Sequence, residues 1–326
     1  MLRRDLLRCR LLAGLIGLGT IGSAQAQAQW PDHPIRFVVP FTPGGGTDAV
    51  SRNLADKLAR ETHWTFVVEN KAGAGGNIGL DAVAKSRPDG YTVGMGQTSN
   101  LAINPAIMPS MPFDATADFS AVALVAEVPM VVVVSEHSPY RTLAELIAAA
   151  KAKPGELRQA TPGLGTVGHL AGELLGQRAG YRILIVPYKG ASPALTDLMG
   201  GQTDFMMATP QGSISLITGA KLRALAVTSA RRIAVLPDVP TIAESGYPGF
   251  AAVDWKVVVA AAKTPPEVVE RLNTAINVAL KNPALIEQLN AEGSSPMGGT
   301  PEDARKYVLS EQAQWAKLIR ESDIKF

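Results

Sequence analysis

Short apolar runs that each give way to a glycine-bearing loop and then to a helical pattern leave a chain few ways to fold. Ile35–Val39, Thr65–Val68 and Tyr91–Met95 are runs of this kind, and Val50, Leu54 and Leu58 recur on one helical face. Strand–helix–strand alternation calls for right-handed crossovers and predicts α/β architecture with a mostly parallel sheet. The middle of the chain repeats the arrangement. Strands are predicted near Leu157–Ala160, Ile183–Val186, Phe205–Met207 and Leu222–Val227. Helices are expected from His169 to Gly176 and from Ser192 to Met199, with Pro193 at the first helical position. Capping boxes at Thr142–Glu145, Thr264–Glu267 and Thr300–Asp303 open three further helices.

Val122–Val134 is too long for one strand and is interrupted by Glu127 and Pro129. Proline belongs at edges and bends rather than in a central strand. The stretch therefore reads as one strand leaving a first sheet, bending at Pro129 and entering a second. A return crossing is required, and Phe250–Ala262 supplies it, because the final helices need a sheet to cover. The result is two α/β lobes joined by two crossover strands, the first lobe built from both chain ends. The expected limits are 29–128 plus 253–326 for lobe 1 and 129–252 for lobe 2.

The first 28 residues stand apart. A basic start, the short apolar run LLAGLIGLGTIG and small-residue sites ending at Ala26 or Ala28 read as a cleavable secretory signal peptide. The apolar run is shorter than the ~20 residues a bilayer demands. Arg3 and Arg4 also give a loose twin-arginine pattern, so either export route fits. The whole chain is +2, but these residues carry four arginines against one aspartate, leaving −1 for the rest. A nearly neutral mature chain gives no case for nucleic acid. The single cysteine, Cys9, leaves with the signal, so neither a disulfide nor a thiol nucleophile is expected. With 46% hydrophobic and only 18% charged residues, the chain can hold itself together through its core.

Three glycine loops fall between a strand and a helix: Pro43–Asp48, Ala72–Asn77 and Gly163–His169. In open α/β sheets that position is where ligands bind. Bare backbone at a helix start presents N–H groups to an anion. A helix start contributes roughly 0.3–1 kcal/mol, up to ~2 when partly buried, and each hydrogen bond to a charged group about 1.5–3 kcal/mol. Two such starts together with several N–H bonds reach the ~8 kcal/mol of micromolar binding without an arginine. A nucleotide is the competing occupant. Gly44-x-Gly46-x-x-Ala49 follows a strand, with Glu69 where a ribose-binding acid would stand, but Phe41–Pro43 separates strand from glycines where the dinucleotide turn is tight. His33, His63, His137 and His169 show no metal spacing, His33 falling in an expected unstructured start, and no nucleophile motif is present. No catalytic residue, metal or cofactor is expected.

The runs PIRFVVPFTPGGGTDAVSRNLA, VVENKAGAGGNIGLDAVAKSRPDGYTV, TSNLAINPAI, GLGTVGHLAGELL, VPYKGASPALTDLMGGQTDF and LPDVPTIAESGYPGF, in this order, resemble the Bug-type extracytoplasmic receptors, the substrate-binding proteins of tripartite tricarboxylate transporters. The likeness spans essentially the whole mature chain. It implies a type II periplasmic-binding-protein (Venus-flytrap) fold with two doubly wound lobes. It also implies a periplasmic, monomeric receptor that closes on a small carboxylate and presents it to integral membrane transporter subunits. By the same resemblance the ligand segments are Phe41, Pro43, Gly44, Gly45, Gly46, Thr47 and Asp48, then Ala74, Gly75, Gly76 and Asn77, then Thr98, Ser99 and Asn100. The second lobe adds Gly165, Thr166, His169, Tyr188 and Lys189.

Chemistry assigns roles within that set. Gly45, Gly46, Gly75 and Gly76 let amides approach one carboxylate, and Thr47, Thr166 and Asn77 add side-chain bonds. Phe41 is an apolar wall or an ordinary core residue. Asp48 would repel an anion, so it caps the helix and orients the loop unless the ligand carries an ammonium. His169 lines the cleft or bonds to backbone at its helix start. Lys189 neutralises a second acid group or is a solvated surface lysine. The alternative function is an exported NAD(P)-dependent oxidoreductase; a sensory receptor would share the cleft and differ only in partner.

Overall fold

The computed structural model describes residues 30–321. The expected signal peptide and Cys9 lie outside the described residues. Strands β1 (Ile35–Val39), β2 (Phe66–Asn70) and β3 (Thr92–Gln97) alternate with helices α1 (Gly46–Thr62) and α2 (Asn77–Ala84). Short α3 (Asn104–Ile107) leads to β4 (Phe119–Pro129). After Met130 the chain enters a second unit: β5 (Val131–Ser135), α4 (Leu143–Ala152), β6 (Arg158–Thr161), α5 (Val167–Ala179), β7 (Leu184–Pro187), α6 (Ala191–Met199), β8 (Phe205–Ala208), α7 (Pro210–Thr218) and β9 (Leu222–Val227). The chain returns through β10 (Val253–Ala261), followed by α8 (Pro266–Leu280), α9 (Pro283–Ala291), β11 (Ser295–Pro296) and α10 (Pro301–Glu321).

Two sheets result, ordered β11-β4-β10-β3-β1-β2 and β7-β6-β8-β5-β9. The bend at Pro129 places β4 in the first and β5 in the second, as the interrupted apolar run predicts. Neither sheet is mostly parallel, which corrects the sequence expectation. β1 pairs in parallel with β2 and β3, and β6 with β7 and β8. The crossing strands β4, β5 and β10 pair antiparallel with all their neighbours. β10 and β5 arrive from the opposite lobe, enter their sheets from the opposite end and run against β1–β4 and β6–β9 respectively; β4 keeps the direction of β3 and is antiparallel only because its neighbours are β10 and β11.

β5 is buried on both faces. Val132 and Val134 join the large core that runs through β4, β10 and α5, whereas Val131 and Val133 pack with Leu195 and Leu198 of α6. That double burial is why the strand reads as an unbroken apolar run. Thr228 ties the two crossings together. Its hydroxyl accepts from Met130 N (2.8 Å) and donates to Ala252 O, and its backbone bonds Met130 O (2.9 Å) and Ala252 N (3.0 Å).

The caps at Thr142 and Thr300 form as predicted. The one at Thr264 does not: Pro265 is the N-cap of α8, and the Thr264 hydroxyl donates to Ala261 O (2.7 Å). Proline at the cap fixes the entry angle without a side-chain acceptor. Pro193 stands third in α6 rather than first, still within the turn whose N–H groups lack helical partners. His33, expected in an unstructured start, stacks on Tyr91 at 3.6 Å between ring centroids.

Candidate functional site

Four helices begin around one crevice between the lobes. Gly45, Gly46 and Thr47 bring the start of α1 to it; Thr166, Val167 and Gly168 bring that of α5. Ala191 and Thr209 add the first turn of α6 and the cap of α7. Phe41, Met130, Pro162, Met206 and Met207 make its apolar walls, and among the described residues Asp254 is the one charged residue lining it. Among the described residues no lysine or arginine lines this space. What it offers an anion is backbone N–H groups and aligned peptide dipoles.

The first glycine loop is held open to the crevice. Gly44, at φ 79°, donates its N–H to Asp48 Oδ2 (3.0 Å). Asp48 Oδ1 takes Arg52 Nε (2.9 Å) and Asn70 Nδ2 (2.8 Å), and Asn70 also donates to Phe41 O (2.9 Å). Burial alone would raise the Asp48 carboxyl, but Arg52, the Gly44 amide and Asn70 hold it below the usual carboxylate range. Asp48 thus orients the loop and faces it from behind. Thr47 donates its hydroxyl to Gln97 Oε1 (2.6 Å).

The second loop lies in an adjoining crevice. Ala74, Gly75 and Gly76 line it with Gly163, Leu164, Tyr188 and Lys189. Phe41 and Pro162 line both spaces and separate them. Gly76 N bonds Gly73 O (3.0 Å), so part of this loop's amide capacity is used within the loop. The Tyr188 hydroxyl donates to Asp197 Oδ2 (2.7 Å), and burial together with that bond pushes its pKa up to about 12. Lys189 is exposed at the rim.

Several predicted residues stand behind the walls rather than on them. Thr98, Ser99 and Asn100 are fully buried. Thr98 Oγ1 accepts from Trp255 N (2.9 Å), Ser99 Oγ from Gln97 Nε2 (3.1 Å) and Asn100 Oδ1 from Gln97 N (3.0 Å). Asn77 turns its side chain to Asn104 (2.8 Å) and to the sulfurs of Met108 and Met111. Gly165 donates its N–H to His169 Nδ1 (3.1 Å), and Thr166 Oγ1 caps α5 by accepting from His169 N (3.3 Å). Burial lowers the His169 pKa to about 4, so the ring is a neutral acceptor that shapes the third loop. Pro43 O receives Ser192 Oγ (2.7 Å) from the other lobe.

Sequence reasoning missed Gln97, Thr209, Asp254 and Lys256. Lys256 Nζ bonds Asp254 Oδ2 and Gln97 Oε1 (2.8 Å), the oxygen that also serves Thr47. The available signal was Asp254-x-Lys256 in an apolar strand, two charges on one face. Burial lowers the Lys256 pKa while Asp254 opposes that shift.

Glycine backbone meets the facing lobe at several points. A Cβ on Gly46 would lie 2.3 Å from Thr209 Oγ1, one on Gly165 2.0 Å from Asn104 Oδ1, and one on Gly190 2.1 Å from Thr42 Oγ1. Gly75 would place its Cβ 2.7 Å from Leu164 O. These approaches leave no room for side chains.

The family described as tripartite tricarboxylate transporter family receptor matches residues 50–324. The chain belongs to this family. BugT of Bordetella pertussis (strain Tohama I) is 40% identical to this receptor over 320 residues, 97% of this chain and 98% of its own. Three solved structures share the two-lobed fold. The periplasmic binding protein BugD superposes with a TM-score of 0.87 at 34% identity, covering 91% of this chain and 99% of its own. R. palustris Rpa4515 with adipate gives 0.88 at 37%, with the same coverage. MatC (Rpa3494) of Rhodopseudomonas palustris with bound malate gives 0.84 at 29%, covering 89% and 99%. This receptor is accordingly a Bug-type solute-binding protein.

Proposed function

We propose that this receptor captures a small carboxylate between its lobes and delivers it, in the periplasm, to the integral membrane subunits of a tripartite tricarboxylate transporter. The observation that carries this reading is the convergence of the α1 start from one lobe and the α5 start from the other on one apolar crevice without a basic side chain. Gly45, Gly46, Thr47 and the first amides of α5 are the proposed carboxylate contacts. The adipate and malate held by two relatives support a carboxylate as the solute class. Within the described residues the lobes run from 30 to 128 with 253 to 321, and from 129 to 252, with closure about the Thr228 tie between Met130 and Ala252. The receptor acts as a monomer with no cofactor of its own.

Linkage supplies the test. An acid that binds only the folded protein at 100 times its Kd adds about 2.7 kcal/mol of stability and raises the melting temperature. A thermal-shift screen of aliphatic and aromatic mono- and dicarboxylates is expected to give a subset of responders, with calorimetry confirming one site. No response from any acid, or a response to NAD(P) with turnover, would overturn this function.

A further inference from the structure

Asp254 is an odd residue to find in a site that attracts anions. It is 4% exposed and sits on β10 beside the lobe crossing. One oxygen, Oδ2, is held by Lys256, which is itself fully buried. The other, Oδ1, is buried without a hydrogen-bond partner among the described residues, and Asp254 lines the crevice. The Lys256 ammonium balances the Asp254 charge, so the pair does not repel an incoming carboxylate as an isolated aspartate would. What it offers the ligand is one desolvated acceptor. A buried acceptor left without a donor is a cost, and a site built to receive a donor rejects the analogue that lacks it.

The surroundings fix which end of a ligand meets it. Thr209 Oγ1, also without a partner, stands over the α1 start. Amides and hydroxyl there suit a carboxylate. Asp254 lines the same crevice as that end, linked to it through Lys256, Gln97 and Thr47, with Met130 and Met207 among the apolar residues of the wall. We propose that the solute is a carboxylate bearing a separate hydrogen-bond donor, a hydroxyl or ammonium group, and that this donor seats on Asp254 Oδ1. The proposal rests on the carboxylate reading above and narrows its substrate class.

Calorimetry on the mature receptor tests it with matched acids: butanoate against hydroxybutanoates and aminobutanoates substituted at the second, third or fourth carbon, and benzoate against the hydroxybenzoates. At least one substituted acid is expected to bind about tenfold or more tighter than its parent. Asp254→Asn is expected to bring the ratio of substituted-acid to parent affinity down to about one. Should that variant fail to fold with Lys256 left unpaired, the double change Asp254→Leu with Lys256→Met removes the pair as a unit, and the wild-type comparison needs no variant. Parents that bind as tightly as every substituted acid, or a preference that survives in a folded variant, would overturn the proposal and leave the carboxylate reading intact. Binding of no acid would overturn that reading and this inference with it.

Discussion

The first and second glycine loops look alike as sequence and differ in what they do with their backbone. In the first, Asp48 takes the Gly44 amide from behind, and Gly45, Gly46 and Thr47 open onto the inner crevice. In the second, Gly76 donates back to Gly73, Asn104 donates to Gly75 O (3.4 Å), and the loop faces an outer space rimmed by Lys189. The third loop is divided: Gly165 donates to His169, whereas Thr166, Val167 and Gly168 open onto the inner crevice. Glycine marks close backbone approach in all three, but a loop serves an anion only where its amides are not already bonded.

That contrast can be broken experimentally, most severely at Gly46. Gly46→Val puts a side chain against Thr209 and is expected to weaken carboxylate binding by about a thousandfold, roughly 4 kcal/mol, with the melting temperature of the unliganded protein little changed. Normal binding by this variant in calorimetry would remove the first loop from the site. Next is acid sensitivity in the third loop. The folded pKa of His169 is lowered to about 4, so its contribution is complete above the unfolded value near 6.5 and is lost as pH falls from there toward 4. The loss is on the order of 3 kcal/mol. Urea melts at successive pH values should show that slope in the wild type and not in His169→Gln.

A smaller effect is expected in the second loop. Gly76 has φ 96°, and a Cβ there would lie 2.7 Å from Asn100 Nδ2. Gly76→Ala should cost about 2 kcal/mol of stability by denaturant melts, while the folded protein keeps its affinity for the acid. An affinity loss as large as that of Gly46→Val would erase the distinction between the loops. Smallest of all is Lys189→Met, at an exposed rim position. It should change monocarboxylate affinity by no more than about twofold, as exposed charges do.

Much of this architecture was legible before any coordinates. Apolar periodicity located the strands, and Pro129 inside an apolar run marked the passage between sheets. Sheet direction was not legible, because nothing local in β5 or β10 says that each enters its sheet from the far lobe. The site was legible as a set of loops but not as a surface. Thr98, Ser99 and Asn100 sit in the right segment, yet their polar atoms serve Trp255 and Gln97. Asp254 was not among the sequence candidates, and its pairing is visible only once Lys256 is seen buried against it.

By itself the sequence determined the elements, the placement of glycine at strand-to-helix turns and the double crossing, since these depend on residues close together in the chain. Tertiary structure alone decided which amides stay unbonded, how Phe41 and Pro162 divide the cleft, and that a paired aspartate stands on its wall. Those outcomes depend on hydrogen-bond partners and neighbours that only folding brings within reach.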